Sequence, residues 1–436
     1  MGNVAILLQK LGYQVSGTDT GIYPPMSTLL ENSGIELFEG YDATRLEYLN
    51  IDLVVVGNVI SRGNEEVEWL LDTKKIPFTS LPNLIGNKLL NKRRNIVITG
   101  THGKTTTSTL AAYISKSTGN DPGFLIGGVP KDLKSGSENG DKSSPFIIEG
   151  DEYDSAFFDK RSKFIHYQPH ILTINNLEFD HADIFRDLQD VKRTFNHVLR
   201  IVPKNGFVLY NGDDKNIKSL LPITWTTTVS IGTEVKNDLV IKNFKEDRAG
   251  SQFSLYWKNE KWTDIKTSLS GLFNARNIAM AGLAVALERN PTNPRQLNLD
   301  CIKTFKGVKR RQEILFESEN LIIFEDFAHH PTAVNDVLIS LKQRFPDFKL
   351  ITCFEPRSNT ACKSLFQEAF TNSLSQADEI HLGAVHRGDN LSDKLDTDSM
   401  VKALQSKGKE AQAHIKNSDL LQVLAENSQN SDDKKV

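Results

Sequence analysis

The chain has 436 residues, 39% of them hydrophobic and 25% charged, with a formal net charge of −3. That is enough chain for roughly three domains of ~150 residues each, and too little positive charge for a broad nucleic-acid surface. No stretch of about 18 apolar residues is present to span a membrane, and no basic start followed by an apolar core marks a signal peptide.

The first segment alternates helix and strand. Asn3–Leu11 carries Val4, Ile6, Leu7 and Leu8 and stops at Gly12, a helix with a glycine end. Tyr13–Asp19 is a strand ending in a carboxylate, Ser27–Asn32 is helical, and Ile35–Phe38 and Asp52–Asn58 are strands. Glu65–Leu71 is helical again, so a parallel sheet with helices on its faces is expected. Asp19 sits at a strand's C-terminal end, where open α/β sheets bind ligands, or it is a solvated loop carboxylate. Tyr23-Pro24-Pro25-Met26 follows it, its prolines fixing an extended turn.

The most informative stretch is Asn95–Thr107. Ile96, Val97 and Ile98 form a short buried strand, Gly100 and Gly103 permit a tight turn, and a helix begins at Lys104. Turn amides and a helix N-terminus together make an anion site. Lys104 adds a point charge for a phosphate, and Thr105 a hydroxyl for Mg²⁺. Only two residues separate the glycines, against four in the regular phosphate loop.

Strand Pro145–Ile148 then runs into Glu149-Gly150-Asp151-Glu152-Tyr153-Asp154. Four acids in six residues repel one another unless cations are near, and hard cations take oxygen ligands. Strand Ile171–Asn176 leads to Glu178, Asp180, His181 and Asp183, where His181 is a plausible ligand for a second Mg²⁺. The segment from about 205 to 268, with Trp225, Trp257 and Trp262, has the alternation of added β-structure and no recognisable chemistry. Asn274 and Asn277, three apart near the start of an apolar helix, share one face; their amides could bond an adenine edge.

Arg310 and Arg311 lie in a basic turn suited to phosphate. Strand Leu321–Phe324 ends in Asp326, His329 and His330, two histidines and an acid that form a site rather than a core. A helix over Ala333–Phe345 and a strand over Lys349–Phe354 precede Arg357, Ser358 and Asn359, and Arg357 suits a carboxylate. Strand Asp378–Leu382 follows. Beyond it the pattern fades to one helix at Ser418–Ala425 and a polar tail from about Ser428, expected to be disordered. Cys301, Cys353 and Cys362 lack CxxC spacing and fit buried thiols in a reduced cytoplasm.

Gly100-Thr101-His102-Gly103-Lys104-Thr105-Thr106-Thr107 resembles the ATP loop of the Mur ligase family, the ATP-dependent amide-forming enzymes of bacterial wall synthesis. The resemblance implies an α/β fold of three domains: a Rossmann-like UDP-binding domain over 1–93, a central P-loop ATPase-type parallel-sheet domain over 94–308 and a Rossmann-like C-terminal domain over 309–436. It implies ATP and Mg²⁺ as cofactors. ATP would meet Gly100, Thr101, His102, Gly103, Lys104, Thr105, Thr106, Asn274, Asn277, Asp326 and His330. Mg²⁺ would meet Thr105, Glu149 and His181, with Lys104, Glu149, His181 and Arg311 taking part in catalysis. Asp19 and Tyr23 would flank the UDP-sugar, and Arg357, Ser358 and Asn359 the peptide.

Some members carry a carbamylated lysine where this chain has Asn196, and most have histidine where it has Phe273. Relative to the family, an opening strand before Met1 and a strand with a glycine-rich turn after Ser418–Ala425 are expected to be missing. Glu152–Phe164, Asn175–Phe185 and Phe354–Thr360 resemble the branch that joins UDP-N-acetylmuramate to L-alanyl-γ-D-glutamyl-meso-diaminopimelate. A UDP-N-acetylmuramate–L-alanine ligase and a nucleotide-binding homologue without ligase activity are the alternatives.

Overall fold

The computed structural model describes residues 1–24, 26–385, 393–429 and 434–436. Pro25, in the proline turn, and residues 430–433 of the polar tail lie outside that set.

A ten-stranded sheet forms the centre. Its order is Glu260–Thr267, Gly250–Trp257, Leu239–Asp247, Thr227–Gly232, Phe207–Asn211, Pro169–Ile174, Asn95–Thr99, Phe146–Glu149, Gly123–Leu125 and Ser137–Glu138. The seven strands from Leu239–Asp247 to Gly123–Leu125 are mutually parallel, and the ends are antiparallel. Its inner strands carry apolar runs on both faces because both faces are covered. Ile96 and Ile98 pack with Leu110 and Ile114 of helix Lys104–Ser117 and with helix Leu272–Arg289. Val97, between them in sequence, points to the other face, among Leu172, Phe195, Leu84 and Leu7. Leu7 comes from helix Gly2–Lys10, so the start of the chain shares a core with the central sheet.

The N-terminal strands form two separate parallel pairs, Ser16–Asp19 with Glu36–Glu39 and Val54–Val56 with Phe78–Ser80. The β-structure of 205–268 has a structural role. Its Leu239–Asp247 strand meets helix Pro331–Arg344: Ser340 Oγ donates to Glu246 Oε2 at 2.8 Å, and Arg344 Nε to the Asp247 carbonyl at 3.2 Å.

The C-terminal part is a parallel three-stranded sheet, Ile351–Phe354, Glu379–Leu382 and Glu410–Ala413, beside an antiparallel hairpin of Glu313–Glu317 and Ile322–Glu325. Two expectations fail here. After Leu382 the chain still forms helix Thr397–Ser406, capped by the Asp396 side chain on the Ser399 amide, and then a strand. The tail is not free either: Lys434–Val436 lies between hairpin and sheet. The Ile322 amide donates to the Lys435 carbonyl at 3.0 Å and the Ile351 amide to the Val436 carbonyl at 2.7 Å. An extended segment therefore does follow the last helix, because sheet-edge backbone groups need partners whatever side chains the partner strand carries. None of the cysteines is in a disulfide, and Cys353 is exposed, so only Cys362 is the buried thiol expected.

Candidate active site

The Asn95–Thr99 strand delivers the chain into a turn whose two glycines are held in conformations other residues resist, φ +129° at Gly100 and +79° at Gly103. A Cβ at Gly103 would lie 2.6 Å from Asn277 Oδ1. The neighbouring strand pins the turn. The Thr101 amide donates to the Asn176 carbonyl at 3.2 Å, the His102 amide to Asn176 Oδ1 at 2.7 Å, and Asn176 Nδ2 returns to the His102 carbonyl. Those two amides are committed internally. The anion-facing amides are those of the first turn of helix Lys104–Ser117, which have no carbonyl one turn behind them within the helix.

Lys104 folds back over the turn. Its Nζ donates to the Gly100 carbonyl at 2.7 Å and to Glu152 Oε2 at 3.0 Å. Burial alone would lower its pKa, but the carboxylates of Glu152, Asp151 and Glu149 outweigh it and hold the ammonium above its ordinary value. Glu152, itself buried, also meets His181 Nε2 at 3.1 Å. It is the link between phosphate loop and histidine. Its place in the acid run at the strand end was the available signal, but nothing local singled it out from Asp151, which takes Lys163 at 2.6 Å.

Glu149 faces the helix start. It accepts from Thr105 Oγ1 at 3.1 Å and from the Gly127 amide at 2.7 Å. Burial pushes its pKa up, against the pull of the Gly127 amide, Lys104, Thr105 and Arg311. Glu149 and Thr105 are an oxygen-only pair of the kind a hard cation takes, so these residues fit Mg²⁺. His181 lies on Glu152 instead, with its ring 4.3 Å from that of Tyr153. Its backbone has φ +56°, held by its amide donating to Asp180 Oδ1 at 2.7 Å and Thr360 Oγ1 at 3.1 Å. Burial would lower the His181 pKa, but Glu152 and Asp180 raise it above the ordinary histidine value.

The Thr360 contact brings the C-terminal part against the loop. Asn359 Nδ2 donates across to Asp183 Oδ2 at 2.9 Å, and Ser358 Oγ accepts from the Ala361 amide at 3.0 Å within its own loop. Arg357 is exposed beside them. Arg311 sits over the Phe327 ring at 5.0 Å, within electrostatic reach of Asp326 and Glu149. Asp326 accepts from the amides of Gln312 and Ala328, both at 2.7 Å. The His330 ring lies tilted against that of His102, centroids 4.5 Å apart, and both approach Glu178 at 3.2 Å. Glu178 was not singled out in the sequence, because its partners come from two distant segments.

Three residues expected to meet ATP, Asn274, Asn277 and Thr106, are buried instead. Asn274 and Asn277 are buried beneath the turn: Asn277 Oδ1 accepts from Thr107 Oγ1 at 3.1 Å, its Nδ2 donates to Asn274 Oδ1 at 3.1 Å, and Asn274 Nδ2 donates to the Ser270 carbonyl at 2.8 Å. They brace the loop, since helix Leu272–Arg289 packs directly against helix Lys104–Ser117. Thr106 is buried in the first turn. On the N-terminal side, Asp19 Oδ1 holds the Thr20 amide at 2.7 Å and Tyr23 is 72% exposed. Asn196 lies within helix Leu188–Leu199, where a carbamylated lysine has no counterpart.

Residues 98–286 match the family model described as Mur ligase middle domain, and residues 1–93 the model described as Mur ligase family, catalytic domain. The chain is 40% identical over 384 residues to the UDP-N-acetylmuramate–L-alanyl-γ-D-glutamyl-meso-2,6-diaminoheptandioate ligase of Escherichia coli K12, covering 88% of this chain and 82% of that one. It is 30% identical over 387 residues to the UDP-N-acetylmuramate–L-alanine ligase of Clostridium acetobutylicum, covering 88% and 81%. Among solved structures, a murein peptide ligase from Psychrobacter arcticus superposes with a TM-score of 0.70 at 32% identity, covering 100% of this chain and 91% of that one.

Proposed function

The chain belongs to the Mur ligase family of ATP-dependent ligases, and from that premise we propose that it joins UDP-N-acetylmuramate to L-alanyl-γ-D-glutamyl-meso-diaminopimelate in peptidoglycan recycling. The observation that carries this reading is the meeting of the phosphate loop with the strand-end acids, His181 and the Arg357 loop at one junction. The higher identity to the tripeptide ligase than to the alanine ligase supports the choice of amine.

A carboxylate is a poor acyl donor because its oxygen leaves reluctantly. Moving the γ-phosphoryl of ATP onto the muramoyl carboxylate gives an acyl phosphate and ADP. Attack by the peptide's amine then forms the amide and releases phosphate and a proton. The first-turn amides of helix Lys104–Ser117 and the Lys104 ammonium bind the phosphates, and Arg311 supplies further positive charge. Thr105, Glu149 and His181 would hold Mg²⁺, which when bound would offset charge on the phosphoryl oxygens. Arg357 orients a peptide carboxylate through its fixed fork. Asp19 and Tyr23 flank the UDP-sugar. Most of the rate effect comes from positioning reactants held by units 1–93, 94–308 and 309–436. No helix among the described residues is long and apolar enough to cross a membrane; with its nucleotide substrates and free thiols, the enzyme works in the cytoplasm.

The test is mass spectrometry of the product from ATP, Mg²⁺, UDP-N-acetylmuramate and either tripeptide or L-alanine. The expected product is the tripeptide amide. Alanine turnover without tripeptide turnover, or phosphate release with no amide, would overturn the assignment.

A further inference from the structure

Outside the oxygen-lined Thr105–Glu149 pair, three side chains from three segments converge on one point. His102 comes from the phosphate turn, Glu178 from the loop after strand Pro169–Ile174, and His330 from the residue capping helix Pro331–Arg344. Their ligand atoms, His102 Nε2, one Glu178 carboxylate oxygen and one His330 ring nitrogen, all lie within 4.8 Å of one another. Glu178 Oε2 is 3.2 Å from both His102 Nε2 and His330 Nδ1.

The hydrogen bonds of His330 make this arrangement incomplete. Its Nε2 faces the Phe179 carbonyl at 3.1 Å, an acceptor, so Nε2 carries the proton. The Thr332 amide donates to Nδ1 at 3.4 Å, so Nδ1 presents its lone pair. In the neutral ring that lone pair faces the Glu178 carboxylate at 3.2 Å. A proton or a metal cation between them satisfies both groups. Ligand atoms bound at about 2.0–2.1 Å at a tetrahedral angle sit about 3.2–3.4 Å apart, which matches the two distances from Glu178. The Phe179 carbonyl fixes the tautomer whose Nδ1 lone pair can ligate, as outer-shell partners of metal-bound histidines do, the ion taking the place of the long Thr332 contact.

We propose that His102, Glu178 and His330 form a site for a divalent transition-metal ion of the Zn²⁺ class. Two imidazoles and one carboxylate suit such an ion, whereas Mg²⁺ prefers the oxygen-only pair. Because His330 lies in the C-terminal part and His102 in the phosphate turn, the ion clasps the two together and leaves one coordination position open. The site is independent of the ligase assignment, since its assembly needs neither nucleotide nor turnover.

The experiment uses the full chain, stripped of metal with a chelator and titrated with Co²⁺ in the absence of nucleotide. The expected result is one Co²⁺ per chain with visible d–d bands, displaced by Zn²⁺ and not by Mg²⁺. Glu178→Gln and His330→Gln should each weaken binding by at least about 100-fold, because loss of an outer-shell partner alone commonly costs 10–100-fold. His181→Gln should leave the bands in place. Circular dichroism of each metal-free variant reports whether it folds. Should the variants fail to fold, crystals of the unaltered chain soaked in Zn²⁺ must show an anomalous peak between the three ligand atoms. Bands that survive Glu178→Gln, bands lost with His181→Gln, a soaked crystal with no peak there, or no stoichiometric Co²⁺ binding would each overturn the proposal.

Discussion

Replacing Gly103 by alanine tests whether the phosphate turn is braced from below. Gly103 has φ +79°, and an alanine held there costs roughly 1–2 kcal/mol. The new Cβ would also lie 2.6 Å from Asn277 Oδ1 and 3.2 Å from Asn175 Nδ2. Asn277 cannot retreat freely, since its Oδ1 accepts from Thr107 and its Nδ2 donates to Asn274. Breaking one of these buried bonds adds about 1–3 kcal/mol. The expected total is about 2–5 kcal/mol. Gly119, just beyond the other end of the same helix, is the control: φ is +94° and the nearest atom to an added Cβ is the end of Arg289, 3.9 Å away. Gly119→Ala should cost only the conformational term, roughly 1–2 kcal/mol. Urea unfolding followed by the fluorescence of Trp225, Trp257 and Trp262 compares the two, and calorimetry should show weaker ATP binding for Gly103→Ala alone. Equal destabilisation of both variants, with equal ATP affinity, would refute the bracing argument.

Lys104→Met should lower phosphate release by at least about 100-fold. It should also destabilise the nucleotide-free chain by about 3–5 kcal/mol, because Glu152 loses its buried cation; adding Glu152→Gln should restore stability but not turnover. Arg357→Lys should raise KM for the peptide about tenfold and leave KM for ATP unchanged, since a point charge does not reproduce the guanidinium fork. Steady-state kinetics with each substrate varied checks this. His414 is buried against His381, Nε2 to Nδ1 at 3.0 Å, and burial followed by that neighbour's charge lowers its pKa. The unfolded chain therefore binds the extra proton first. The stability this site contributes is complete above about pH 6.5, the unfolded histidine value, and declines as pH falls below it. His414→Gln should flatten the dependence of the urea midpoint between about pH 7 and 5; an unchanged slope would contradict the pairing.

The phosphate turn was legible because its requirements are local. A buried strand, two glycines and a lysine at a helix start need no distant partner to be recognised. The alternation of strand and helix around it likewise follows from side-chain periodicity, and Glu149 stands out as the acid ending an apolar strand. The tail and the segment after Leu382 were not legible, since Lys434–Val436 is ordered by backbone groups it meets more than 80 residues earlier in the chain. The same holds at the site. Asn274 and Asn277 look from sequence like exposed donors, and only the packing of one helix against another turns them inward. Glu152 gains its role from Lys104 and His181, 48 and 29 residues away, and Glu178 from His102 and His330, 76 and 152 residues away. Residue type and local spacing determined which chemistry could occur, because they set what a side chain can donate, accept or hold. Tertiary structure decided which of those groups face one another, because pairing energies depend on distance and burial that no local pattern encodes.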